Sequence, residues 1–494
     1  MKVTIVLSVA GLAIGGAVPR VRRSEPPSYA MPGVRFRGIT IKPSHSVRPR
    51  SADAVTSNHV AMQKIHGHLP QRNWQKTLHK AVGDTWDLKS EYNLTKPATS
   101  NMTFLYNTNY AIPISIGDQE FQVTVDTGSS DTWVVQSNFT CVDPTTLGPI
   151  NPSYCGFGPT FDGTFQHGLV PDVADFAFMY GDGESIGGQT GYEDITIAGV
   201  TVKKQEMLLA NRATWYGDGI TSGILGLSYP LETKIFNTTD QSRNFAGSPS
   251  HRKYDPVFTS MYKQGLVPPL FSMAMDRSSQ KGWLAFGGLP PVDHASDYAR
   301  APIRIVEVDN APATRTENTY YTIIPDGFIF GRLNTSTFTY SNPSWNGLFN
   351  DTNESQFPVM IDSGTTFAFL PRAIVLPYVQ QFTEPMGRFG GQYWAPCDST
   401  VPPFGVTIGG KTFYLSEADL LQQEVRQQQD YNGTPITLCL IGLGDNLPDG
   451  PFIFGDMFLN NFVSVFDVGA GEMRFYAREG DNSTNATSEA GSSE

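Results

Sequence analysis

Phe121-Gln-Val-Thr-Val-Asp-Thr-Gly-Ser-Ser130 decides the reading of this chain, because Phe357-Pro-Val-Met-Ile-Asp-Ser-Gly-Thr-Thr366 repeats it. Each stretch is a short apolar strand that delivers an Asp, then a hydroxyl residue, a Gly and two more hydroxyl residues. A lone Asp-Thr-Gly is an ordinary turn. Two extended copies carry more weight. A carboxylate brought in by a hydrophobic strand is costly to bury unless it is hydrogen-bonded. The hydroxyls that follow, and the backbone N–H groups at Gly128 and Gly364, are placed to supply those bonds. A further apolar-apolar-Gly element occurs in each half, Ile224-Leu225-Gly226 and Ile453-Phe454-Gly455. The chain therefore reads as two duplicated lobes, each presenting one Asp (Asp126 and Asp362) on a turn after a buried strand.

Composition agrees. The 494 residues can fill more than one core. Abundant Gly, Pro, Phe and Tyr with short apolar runs favour many short strands and few long helices. Two polar Asn/Ser-rich stretches, roughly 236–256 and 334–356, read as surface insertions. The net charge of −12 conceals a division: residues 1–100 carry 15 Lys+Arg against 5 Asp+Glu, leaving 20 against 42 in the remainder. A basic leader on an acidic body fits either a nucleic-acid tail or an intramolecular partner.

The N-terminus decides between them. Lys2 is followed by an apolar, small-residue run from Val3 to Val18, which reads as a secretory signal cleaved near Ala17. Residues 1–18 are thus expected to be a signal peptide and 19–95 a basic propeptide, with no nucleic-acid partner and no membrane anchor. Ten Asn-x-Ser/Thr sequons (Asn93, Asn101, Asn138, Asn237, Asn334, Asn350, Asn353, Asn432, Asn482 and Asn485) fit a secreted glycoprotein. Four cysteines allow three pairings, and the sequence proximity within Cys141/Cys155 and within Cys397/Cys439 favours the sequential one. Residues 481–494 form a polar tail with no hydrophobic anchor signal. The expected product is extracellular, with a vacuole as the other destination.

With those motifs in place, the sequence resembles the pepsin-like family of aspartic proteases from about Phe104 to Ala477. Asp126-Thr-Gly-Ser-Ser-Asp-Thr-Trp133 and Asp362-Ser-Gly-Thr-Thr366 match the paired catalytic motifs. Phe178-Met-Tyr-Gly-Asp-Gly183 matches the flap, and Ile453-Phe-Gly-Asp456 with Val465-Phe-Asp467 matches the C-terminal signature. The resemblance implies an all-β, bilobal double β-barrel with short helices and a central cleft, its lobes at 96–290 and 291–480. It implies a monomer without cofactor or metal that acts on protein and peptide substrates. Asp126 and Asp362 would share one proton and activate a water for attack on the scissile carbonyl, with no acyl-enzyme; pepsin-type dyads are the standard example of such sharing. Which carboxyl holds the proton is left open.

The same resemblance gives supporting roles. Ser129 and Thr365 would bond the outer carboxyl oxygens, and Thr127 and Ser363 would brace the two loops, beside Gly128 and Gly364. Tyr180, with Gly181, Asp182 and Gly183, would form the flap over bulky apolar P1 and P1′ side chains, with Tyr180 meeting Trp133. Asp182 and Glu184 stand as acids at the flap, so a P1 Lys is expected to be accepted as well. The basic leader is expected to lie across the cleft as an inhibitor with a Lys or Arg facing the aspartates. Acid would release it, protonating body carboxylates and charging His45, His59, His66, His68 and His79, with a cut within 80–105.

Other classes fit less well. The body holds only His167, His251 and His294 and has no His-Glu-x-x-His, against a metalloprotease. Gly181-x-Gly183 is followed by Ile186 where a dinucleotide loop needs its third Gly. The remaining rival is an inactive, protease-shaped binding protein; such a protein would have lost an Asp, a motif Gly or the flap Tyr, all present here.

Overall fold

The computed structural model describes residues 39–43, 54–66, 108–173, 175–181, 183–237, 250–276, 281–308, 317–331, 338–340, 357–382, 387–389, 392–429, 435–446 and 452–478. The signal segment, the helix-prone patch at Trp74–Val82, Asp182, the tail and all sequons except Asn138 and Asn237 lie outside them.

Strands dominate. In the first half, Thr108–Ile116, Gln119–Asp126, Gly223–Gly226, Thr132–Val142, Val200–Thr214 and Ser185–Ile197 follow one another edge to edge, and Ser115–Ile116 pairs back onto Ile195–Thr196. That last pairing closes a six-stranded barrel and removes its free edges. Its interior is filled by the alternate residues Ile112, Ile114 and Ile116, with Phe121, Val123 and Val125 opposite.

The same sheet continues outward from Thr108–Ile116 through His59–His66, Lys281–Phe286, Leu270–Asp276, Phe462–Asp467 and Glu472–Arg478 to His294–Pro302. Strands from both ends of the chain thus form one platform under the two halves. Phe271 stacks on Phe466 across it, with ring centroids 4.4 Å apart. His59–His66 is an inner strand there, bonded on both sides, with Met62 and Ile65 buried. The second half adds a five-stranded sheet built around Val359–Ile361 and Phe452–Phe454, and two four-stranded sheets. Disulfides Cys141–Cys155 and Cys397–Cys439 are both formed, the pairing the spacing favoured. No helix among the described residues is long and apolar enough to cross a membrane.

The sequence repeat is a structural repeat. Gly223–Gly226 lies parallel to Val123–Asp126 with Gly226 opposite Asp126, while its other edge runs antiparallel to Thr132–Val134. In the second half, Phe452–Phe454 lies parallel to Val359–Ile361 and antiparallel to Ala368–Phe369. Both following glycines sit where a side chain has no room: a Cβ on Gly226 would lie 2.4 Å from the Ser130 carbonyl carbon, and one on Gly455 would lie 2.1 Å from the Thr365 oxygen. The two Asp turns are therefore held by matching frames.

Candidate active site

The two turns meet. Asp126 and Asp362 are 6% and 7% exposed, and each carboxyl lies against the glycine of the other's turn. Gly128 N donates to Asp126 Oδ1 at 2.7 Å and Ser129 Oγ to Oδ2 at 2.5 Å. On the other side Gly364 N donates to Asp362 Oδ1 at 2.8 Å and Thr365 Oγ1 to Oδ2 at 2.7 Å. Behind the carboxyls the loops interlock. Thr127 Oγ1 donates to Ile361 O at 2.9 Å and accepts from Ser363 N at 3.0 Å; Ser363 Oγ donates to Val125 O at 2.8 Å and accepts from Thr127 N at 3.1 Å. The hydroxyls of Thr127, Ser129, Ser363 and Thr365 are thus each committed to a bond within or between the turns, and that of Ser130 donates to Tyr229 O.

Burial first, and then the negative charge of Asp362, push the Asp126 carboxyl up to about 8. The pair accordingly holds one proton through the acid range, and that proton belongs to the pair. One acid and one carboxylate side by side can both donate to and accept from a single water or carbonyl oxygen.

The glycines make this closeness possible. A Cβ on Gly128 would fall 2.4 Å from Asp362 Oδ1, and one on Gly364 would fall 2.6 Å from Asp126 Oδ1. Gly128→Ala is expected to force the carboxyls apart and to lower kcat/KM about a hundredfold. Steady-state kinetics on a peptide would check this; undiminished activity in the alanine variant would refute the contact.

The flap is a hairpin of Phe176–Met179 against Ser185–Ile197, with Met179 opposite Ser185. Gly183, at φ +94°, takes a conformation open to glycine, and its N–H donates to Tyr180 O at 3.1 Å. Gly181 and Gly183 are exposed at the tip. Tyr180 accepts from Trp133 Nε1 at 2.8 Å. Gly183-Glu-Ser-Ile-Gly187 also has the Gly-x-Ser-x-Gly spacing of a nucleophile elbow. Ser185 opens a hairpin strand instead of a strand-to-helix turn, so that pattern carries no chemistry here.

One expectation fails. Glu184 does not face solvent beside Asp182: it is buried, and its carboxylate accepts from Tyr216 N at 2.7 Å. The closing bond of the hairpin, Tyr180 N to Glu184 O at 2.7 Å, turns that side chain under the flap.

Three further residues take parts that the sequence motifs do not give them. Trp215 packs edge-on against Trp133 (5.0 Å) and Tyr180 (5.6 Å) and stacks on Phe157 (5.8 Å). Asp131 is buried just beyond the first Asp turn and accepts from Tyr254 Oη at 2.6 Å and from Lys234 N; burial pushes it up to about 6. Asp456, after the second frame's glycine, is buried with both carboxyl oxygens unpaired among the described residues. Burial pushes it well above the usual carboxylate range. Asp131 and Asp456 both stand within the quoted motifs, which give neither of them a role.

The sequence profile of the eukaryotic aspartyl protease family matches residues 109–477, three quarters of the chain and both Asp turns. The chain belongs to that family. It is 34% identical over 450 residues to a probable aspartic-type endopeptidase of Aspergillus fumigatus, covering 90% of this chain and 92% of the relative. It is also 25% identical to penicillopepsin-1 of Penicillium janthinellum over 74% of this chain and 94% of that one. Rhizopuspepsin-4 of Rhizopus niveus is 26% identical, over 70% and 71%. The protein is an aspartic-type peptide hydrolase with the all-β fold of the pepsin family.

Proposed function

We propose that this protease is made as a secreted zymogen and works in acid, with Asp126 and Asp362 as its catalytic pair. The observation that carries the reading is two buried carboxyls brought face to face, each lying against the glycine of the other's turn and each held through both oxygens by its own turn. A water between them gives a proton to the ionised member as its oxygen attacks the scissile carbonyl. The protonated member donates to the developing oxyanion. The tetrahedral diol then collapses with proton transfer to the leaving amine, and no acyl-enzyme forms. Tyr180 covers the peptide from the flap. Bulky apolar residues fit the aromatic wall of Tyr180 and Trp215. A preference for P1 Lys would rest on Asp182 alone, since Glu184 is turned inward.

The leader has support as an inhibitor. Its strand His59–His66 is built into the central sheet, and Lys64 from it sets a positive charge against Asp456, which also feels Asp126 and Asp362. The charge of a leader lysine thus reaches the acid that also feels the pair, in keeping with an inhibitory leader. Export is supported by the N-terminal apolar run and by the exposed sequon at Asn138.

Acidifying the purified precursor tests the reading. The chain is expected to shorten to an N-terminus within 80–105 and to begin hydrolysing a denatured protein, both blocked by pepstatin. A precursor that stays full-length in acid, or hydrolysis indifferent to pepstatin, would defeat it.

A further inference from the structure

The buried Glu184 has no part in the chemistry above, yet it sits where two moving parts of a cleft would meet. Residues 215–222 connect the strand Val200–Thr214 to the strand Gly223–Gly226 and carry Trp215. On one side this loop is laced to the loop after the first disulfide: Gly217 N donates to Cys155 O at 2.9 Å, Gly219 N to Gly156 O at 2.6 Å, and Gly158 N to Thr221 O at 2.8 Å. The backbones approach so closely that a Cβ on Gly217 would lie 2.2 Å from Gly156 O. On the other side, the strand before it pairs with the flap strand as far as Thr214 opposite Ser185, and two residues further on Tyr216 N donates to Glu184 Oε1 at 2.7 Å. Glu184 follows the flap tip and is 5% exposed, and Tyr216 adjoins Trp215, which touches both Tyr180 and Trp133.

We propose that Glu184 is a positioning residue: its carboxylate ties the stem of the flap to the Trp215 loop, and so fixes the spacing between Tyr180 and Trp215 over the cleft. This rests on the reading that Tyr180 covers bound peptide. The tether requires an acceptor long enough to cross from the hairpin to a backbone N–H, and a shorter Ser or Ala has no such reach. It does not require charge. A protonated Glu, or a Gln, still presents a carbonyl oxygen to Tyr216 N, so the bond survives in acid. Without that acceptor the bond is lost, and the Trp215 loop is loosened from the flap tip while the strands behind it stay paired up to Thr214.

Two variants separate the possibilities. In the full-length chain, hydrogen exchange at 214–218, read by mass spectrometry, is expected to speed up about tenfold or more in Glu184→Ala and to stay near wild type in Glu184→Gln. In acid-activated enzyme, with active sites titrated by pepstatin, Glu184→Ala is expected to raise KM for an apolar P1 peptide about tenfold and to change kcat less than threefold. Glu184→Gln restores KM. A merely structural role would lower Tm and the titratable fraction and leave KM of the surviving sites unchanged. Unchanged exchange in Glu184→Ala, unchanged KM there, or a Gln variant as impaired as the Ala variant would each overturn the proposal. The exchange arm needs no activity, so it decides the tether even where the protease reading fails.

Discussion

Asp126→Asn and Asp362→Asn are each expected to lower kcat/KM on a peptide by about 10³- to 10⁴-fold. The chemistry asks each carboxyl for something that an amide cannot give. One must take a proton from water, and the other must hold a proton against the developing oxyanion. Structure asks less. Asn keeps an oxygen that can accept from Gly128 N or Gly364 N, and the interlock of Thr127 with Ser363 does not pass through the carboxyls. Tm is therefore expected to change little while activity collapses. Because the two act as one unit, the double variant should be only slightly worse than either single one. The check is kcat/KM, Tm and pepstatin binding on all three variants. Independent, multiplying losses would show two separate acids; loss of activity together with loss of fold would show that the carboxyls serve as struts.

The pair was legible in sequence because its logic is local. An apolar strand, an Asp and the donors within three residues of it can all be read from ten letters, and the second copy supplied the partner. What was missed depends on which way a side chain turns in three dimensions. Glu184 reads in sequence as a second acid at the flap because it follows Gly181-Asp-Gly183, yet it is buried and accepts from Tyr216 N. Trp215 carries no local pattern, and its meaning comes from Trp133 and Tyr180, far away in sequence. The strand His59–His66 was hidden by composition. Basic and polar residues dominate the segment around it, and only Met62 and Ile65 are buried. The bilobal all-β architecture followed from the repeat, whereas the shared platform, which pairs Leu270–Ala274 with Val463–Asp467, has no signature within either strand.

Stability is expected to be greatest in acid and to fall as pH rises from about 4 to about 8. Three buried carboxyls set the direction. Asp126 is pushed up to about 8 by burial and by Asp362, Asp131 up to about 6 by burial, and Asp456 well above the usual range by burial. Each keeps a proton in the folded chain that the unfolded chain releases above its ordinary value of 3.8. Where the native state binds more protons than the unfolded state, raising pH favours unfolding. For Asp131 the rise from 3.8 to about 6 corresponds to about 3 kcal/mol, present below pH 4 and lost by pH 6. The opposite sign belongs to Asp194, held near 2 first by the hydrogen bond from Lys203 and then by Lys204 N. Its contribution is present above pH 4 and lost only as pH falls towards 2, so it trims the acid end without moving the trend. Melting an Asp362→Asn precursor, which is expected not to digest itself, at pH 4, 6 and 8 would measure the slope. Asp131→Asn in that background should flatten the fall between pH 4 and 6, and the fall that remains belongs to Asp456 and to Asp126, which burial still raises once the Asp362 charge is gone. A Tm that climbs from pH 4 to pH 8 would mean that the buried carboxyls are ionised in the folded chain, against the burial that raises Asp126, Asp131 and Asp456.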